Sequence, residues 1–206
     1  MTRPLTARGF ARAVAALGAR DPGLAAIVAR HGRPRFWRRE PGFATLVLII
    51  LEQQVSLASA RATYGRLAQR LGRISPQALL RLDDETLRAA GLSRQKARYC
   101  RHLARAVLDG TVPLARLGDL PDEEARARLE TVVGIGRWTA DIYLLSALGR
   151  RDVWPVGDLA LVSAVQRLKG LDARPAPAQM AAIAEPWRPW RAVAARLLWH
   201  DYLSAR

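Results

Sequence analysis

What the 206-residue chain lacks narrows its identity first. Its single cysteine, Cys100, rules out an internal disulfide, a four-cysteine iron–sulfur cluster and a cysteine-based zinc finger. A reducing, cytoplasmic setting is expected. No apolar run reaches the ~20 residues that a membrane span requires, and the longest is Phe43 to Leu51. The arginine-spotted start has neither the apolar centre nor the cleavage site of a secretory signal. Asp21-Pro22 and the periodic segment after it read as part of the fold. Lysine is nearly absent, represented only by Lys96 and Lys169. Sustained alternation of apolar and polar residues is missing too, so strands are not expected and the fold class is all-α.

Acidic residues are also scarce. Lys+Arg number 33 against 18 Asp+Glu, a formal charge of +15. Such an excess favours a polyanionic partner, because it steers association and releases counterions from phosphates. Abundant Ala, Arg, Leu and Gly also mark a GC-rich genome, so part of the arginine excess needs no functional cause. Half of the chain is apolar, enough for a sizeable core in one domain or two closely packed lobes.

Helical spacing runs through most of the sequence. Thr6 to Leu17 and Pro22 to Ala29 carry it, with Asp21 and Pro22 as a cap and first-turn pair. His31 to Arg39 (HGRPRFWRR) reads as a solvated linker. Phe43 to Leu51, with Val55 and Leu57, is expected to be buried on nearly all sides of a helix. Beside that core Glu52, Gln53, Gln54 and Ser56 stand out as polar. Further helices are expected over Ala58 to Leu71, after Ser75-Pro76, from Asp83 or Asp84 to Gly91, and over Pro121 to Leu129. Leu159 to Leu168, Met180 to Glu185 and Ala192 to Leu203 complete the set. Ser93 to Leu108 places Arg94, Arg98, Arg101 and Arg105 on one side and Tyr99, Leu103 and Val107 on another. Its start puts a helix N-terminus and Lys96 in reach of an anion. A solvated basic face is an equally good reading of the arginines.

One stretch concentrates chemistry: Leu129 to Asp158, LETVVGIGRWTADIYLLSALGRRDVWPVGD. Gly134-Ile135-Gly136 allows a sharp turn with uncovered amides, suited to a phosphate. Trp138 follows the turn, and Asp158 opens a later helix. Singly, these are a common turn, a core tryptophan and an N-cap.

Together with Val133, Thr139-Ala140 and Asp152-Val153-Trp154-Pro155-Val156-Gly157, they resemble the helix-hairpin-helix DNA glycosylase superfamily. Gly136-Arg137-Trp138-Thr139-Ala140, Gln53-Gln54-Val55-Ser56 and Leu198-Trp199 are similar to its 3-methyladenine DNA glycosylase II (AlkA) type. The resemblance covers roughly Phe43 to Tyr202. It implies two helical lobes with a DNA-binding cleft between them, approximately 44–135 and 1–43 with 136–206. Larger relatives carry an extra N-terminal α/β domain, for which the residues before Phe43 leave no room, so a compact member is expected.

The implied function is base-excision repair by hydrolysis of the N-glycosidic bond of alkylated purines, such as 3-methyladenine and 7-methylguanine, flipped out of duplex DNA. Asp158 matches the family's catalytic aspartate. Trp138 and Trp199 match the base pocket and Gln53 is placed with them, although Ile142 stands where some relatives have tyrosine, with Tyr143 adjacent; Trp154 either completes the pocket wall or packs beneath the loop. Gln54 occupies the position of the DNA-inserting residue. Ser93, Lys96, Gly134, Gly136, Arg137 and Thr139 are the expected DNA-backbone contacts. The partner is damaged double-stranded DNA and the protein is a monomer. No cofactor and no side-chain metal site are expected, beyond Na or K on the hairpin carbonyls. Two alternatives stand beside this reading. A bifunctional glycosylase/AP lyase would need lysine where Trp138 stands, and a non-catalytic helix-hairpin-helix module would not need Asp158.

Overall fold

The computed structural model describes residues 4–205. Among them the chain forms only helices, turns and loops. In order these are α1 (Ala7–Arg20), α2 (Pro22–His31), α3 (Phe43–Glu52), α4 (Leu57–Leu71), α5 (Pro76–Leu80), α6 (Asp84–Ala89) and α7 (Arg94–Leu108). There follow α8 (Asp122–Glu130), α9 (Arg137–Ser146), α10 (Leu159–Lys169), α11 (Pro177–Ala184), a 3-10 turn (Glu185–Trp187) and α12 (Arg191–Ser204). The all-α expectation holds. No helix is long and apolar enough to cross a membrane among the described residues.

Short polar residues start most of these helices. The side chains of Thr6, Asp21, Ser56, Ser75, Asp83, Ser93 and Asp158 each accept from a backbone N–H of the turn that follows. Each such cap is worth ~1 kcal/mol. Asp83, not Asp84, is the cap of α6. α11 begins at Pro177, ahead of Met180, because proline fits a first helical turn and Gln179 Oε1 accepts from the N–H of Ala176 (2.9 Å).

Two compact units divide the chain. One is Arg39–Tyr143; the other joins residues 4–38 to residues 144–205. In the first, α3 packs on α4 and α7, and α5 and α6 pack on α7. Leu46, Val47, Ile49, Ile50 and Leu51 are all buried, each side chain contributing roughly 1.5–3 kcal/mol. Val55 and Leu57, expected to join them, are instead 44% exposed. α3 ends at Glu52 and a turn intervenes before α4, so its helical period does not carry across. Glu52 is buried there in a two-pronged bond from Arg39 (2.8 and 2.8 Å).

In the second unit α12 packs on α1, α2 and α10. Phe10, Leu17, Leu24, Ile27, Leu161 and Leu198 lie in its core. The segment 32–40 corrects the solvated-linker expectation. Phe36 packs on Phe10 with ring centroids 5.5 Å apart. Arg196, buried on α12, donates to Trp37 O (2.9 Å) and lies 4.2 Å from the centroid of its ring. A cation over an aromatic face and a hydrogen-bonded carbonyl hold this part of the segment on the unit.

Candidate active site

α8, the turn after it and the start of α9 form the hairpin. Ile135 N donates to Val132 O (2.9 Å), which closes the turn. Val132 and Ile135 point into the core while Val133 is exposed. Gly134 has φ +93, and a Cβ there would stand 2.1 Å from Cγ of Tyr99 on α7. Only glycine allows the turn to lie on that ring. Gly136 differs: no atom lies within 4 Å of where its Cβ would be, so its backbone is open to a close-approaching group.

Beneath the turn, Gln53 Nε2 donates to Gly134 O (2.8 Å) and to Thr139 Oγ1 (2.9 Å). Gln53 therefore braces the hairpin, with both amide hydrogens engaged, where sequence placed it in the base pocket. Thr139 is only 2% exposed, so its hydroxyl is an internal acceptor and not the expected phosphate contact. Asp141, fully buried one turn along α9, accepts from Arg126 Nε of α8 (2.7 Å). That ion pair ties the two hairpin helices together. Arg137, half-exposed, lies 3.7 Å from the same carboxylate and remains accessible to solvent. Trp138 is half-buried on the first turn of α9.

Three other expectations change in detail. Lys96 Nζ donates to Leu51 O at the end of α3 (2.6 Å), and partial burial lowers its pKa. That bond tethers α7 to the end of α3 and uses one of the three ammonium hydrogens. Ser93 Oγ accepts from Lys96 N (3.2 Å) as the cap of α7; the exposed hydroxyl can still donate outward. Trp154 is buried against Trp187, centroids 5.6 Å apart, which is the packing alternative of its two readings. Tyr143, next to Ile142, is also buried, and its hydroxyl accepts from Gly42 N (2.9 Å). Burial raises its pKa against the lowering effect of that bond.

Asp158 combines two roles that the sequence had set against each other. Its Oδ1 accepts from Leu161 N (2.9 Å), capping α10, and from the indole Nε1 of Trp199 on α12 (3.1 Å). Asp158 is half-buried, so the carboxylate is fixed in direction without being sealed off. Gln54, exposed beyond the end of α3, has φ +56, and is the one non-glycine with positive φ among the described residues. Such a conformation is costly and points to a constrained turn.

The chain belongs to the family described as HhH-GPD superfamily base excision DNA repair protein, whose model matches residues 47–189. DNA-3-methyladenine glycosylase 2 of Escherichia coli (strain K12) is 34% identical to it over 203 residues, 91% of this chain and 64% of that protein. The chain thus spans just under two thirds of that relative's length. Among solved structures, the Schizosaccharomyces pombe 3-methyladenine DNA glycosylase Mag1 in complex with abasic DNA superimposes with a TM-score of 0.84. It is 27% identical, over 91% of this chain and 95% of that one. A DNA-3-methyladenine glycosidase from Bacillus halodurans gives 0.72 at 31% identity, over 88% and 89% of the two chains.

Proposed function

We propose that the chain is a monofunctional DNA glycosylase that hydrolyses the N-glycosidic bond of alkylated purines in duplex DNA. The observation that carries the reading is the doubly bonded Oδ1 of Asp158, in a chain whose relatives are named for 3-methyladenine removal. The exposed backbone at Gly136, with Arg137 beside it, would take a phosphate without reading sequence. Gln54 would enter the space left by the flipped nucleotide, and Trp138 would face the extruded base, whose positive charge attracts an aromatic face.

In the reaction the C1′–N bond breaks and its electron pair leaves with the base. Positive charge grows on the sugar, and the Asp158 carboxylate stabilises it. Water then adds at C1′ and gives up a proton, for which the same carboxylate is a suitable acceptor. An alkylated purine is already cationic and departs without a strong general acid. The hydrogen bonds from Leu161 N and Trp199 hold the carboxylate in place before the charge develops.

Both lysines bear on the monofunctional reading. Lys96 is held on Leu51 O, and Lys169 Nζ is paired with Asp21 Oδ2 (2.9 Å). Neither is offered as a Schiff-base nucleophile. Borohydride treatment with abasic-site DNA should therefore trap no covalent adduct, and an adduct at either lysine would establish the lyase instead. A bound Na or K ion belongs to the proposal as well. It would share the turn with bonds already made, since Val132 O accepts from Ile135 N and Gly134 O from Gln53. The protein would act as a monomer in the cytoplasm, at the nucleoid. Release of 3-methyladenine or 7-methylguanine from alkylated duplex DNA tests the reading directly.

A further inference from the structure

The arginine face of α7 lies beside the hairpin and, among the described residues, makes no hydrogen bond to it. Arg94, Arg98, Arg101 and Arg105 repeat at helical spacing, and with Arg88 of α6 they border an open groove of about 670 Å³. Within that lining five arginines stand against two carboxylates, Asp84 and Glu85. Arg101 is committed to Asp84 and to Leu82 O (2.7 Å), so it fastens the wall. Arg88, Arg94, Arg98 and Arg105 are exposed. Leu92 and Ala97 are the lining's apolar members, and both are buried, which leaves nothing to hold an apolar ligand.

The groove adjoins the hairpin without including it: no hairpin residue lines it, while the Arg98 guanidinium lies 5.6 Å from the centroid of the Tyr99 ring. Tyr99, which lies against Gly134, is one residue on from Arg98 and therefore ~100° around the helix. From Arg94 to Arg105 the face runs ~16 Å along the axis at ~1.5 Å per residue. A row of exposed guanidiniums of that length fits successive phosphates of a strand better than a single small anion. Guanidinium also pairs with two phosphate oxygens at once.

We propose that the α6–α7 groove is a second duplex-DNA contact, which grips backbone phosphates apart from those held by the hairpin and contributes sequence-independent affinity. It rests on the reading that DNA is the partner, but not on base release. Each phosphate neutralised contributes ~0.9 to the slope of log affinity against log salt on duplex DNA.

The test is a salt titration of the full chain on undamaged duplex DNA, followed by fluorescence anisotropy. Arg94→Gln/Arg98→Gln/Arg105→Gln should flatten the slope by about 2–3. A control removing three exposed arginines elsewhere, Arg8→Gln/Arg12→Gln/Arg70→Gln, should leave it near the native value. Single substitutions, each flattening the slope by about 0.9, cover the case of a triple variant that folds poorly. Equal flattening in the two triple variants would reduce the effect to net charge and overturn the proposal. An unchanged slope on duplex with a loss on single-stranded RNA would overturn it in favour of an RNA partner. Failure of the glycosylase reading is distinguishable, because it appears as absent base release with the slopes unaffected.

Discussion

The indole Nε1 of Trp199 lies 3.1 Å from Oδ1 of Asp158, within the unit that both residues share. An aromatic residue that sequence assigned to the base pocket is thus also a hydrogen-bond donor to the carboxylate. Trp199→Phe keeps the ring and removes the donor. A bond to a charged acceptor is worth roughly 1.5–3 kcal/mol, so single-turnover excision should fall at least about tenfold while affinity for DNA changes little. An unchanged rate would show that Leu161 N alone orients Asp158.

Gly134 and Gly136 should fail in different ways. Gly134→Ala meets the Tyr99 ring and a positive φ, so it should lower stability by more than ~1 kcal/mol. Tyr99→Ala in the same chain would relieve the collision and leave the backbone cost. Gly136→Ala meets no atom and should fold normally, yet bind duplex DNA more weakly. Thermal melts together with binding curves separate the two, and equal melting losses would contradict the assignment.

Removing Asp141 from the buried pair breaks the tie between α8 and α9 and leaves Arg126 with Glu123, exposed on its own helix, as its charge partner. Asp141→Asn should therefore cost more than about 1 kcal/mol, measured by denaturant unfolding. A cost below ~1 kcal/mol, the range of exposed pairs, would mean that the pair does not hold the hairpin helices together.

Much of this fold was legible because its signals are local. Caps such as Ser75 and Asp158, and the stop at Gly170, mark helix ends through their own backbone bonds. The GIG turn and Asp158 were visible for the same reason. Long-range partnerships were not. Gln53 reaches across 81 positions to Gly134 O, and the sequence shows only a polar residue after an apolar helix. Arg196 fixes Trp37 from 159 positions away, which turned an expected linker into a packed segment. Thr139 has the right chemistry for phosphate but spends it inside the fold, and burial is not written in residue type. Asp141 was the missed residue with a usable signal, a lone carboxylate in the apolar run after Thr139-Ala140.

Asp21 gives the fold a defined acid response. Burial alone would raise its pKa, but bonds from Lys169, Trp187 and Leu24 outweigh that and hold it below its ordinary 3.8. A depressed carboxylate stabilises the fold above its unfolded pKa, and that contribution is lost as pH falls through the folded value. Asp21→Asn keeps a cap but loses the charge. It should melt about 2–4 °C below the native protein at pH 7, for ~1 kcal/mol lost, with the gap closing below about pH 3.8. A gap that stays constant into acid would contradict the assignment.

The central claim is that Asp158 carries the chemistry of base removal. The most direct measurement is single-turnover release of 3-methyladenine and 7-methylguanine from alkylated duplex DNA by the native chain and by Asp158→Asn. Asparagine retains an N-cap oxygen and the acceptor for Trp199, so the variant should fold and bind DNA as the native chain does. Its release rate should fall by at least about a hundredfold, the scale of losing a preorganised charge at a transition state. Native-like release from a folded Asp158→Asn variant would contradict the account.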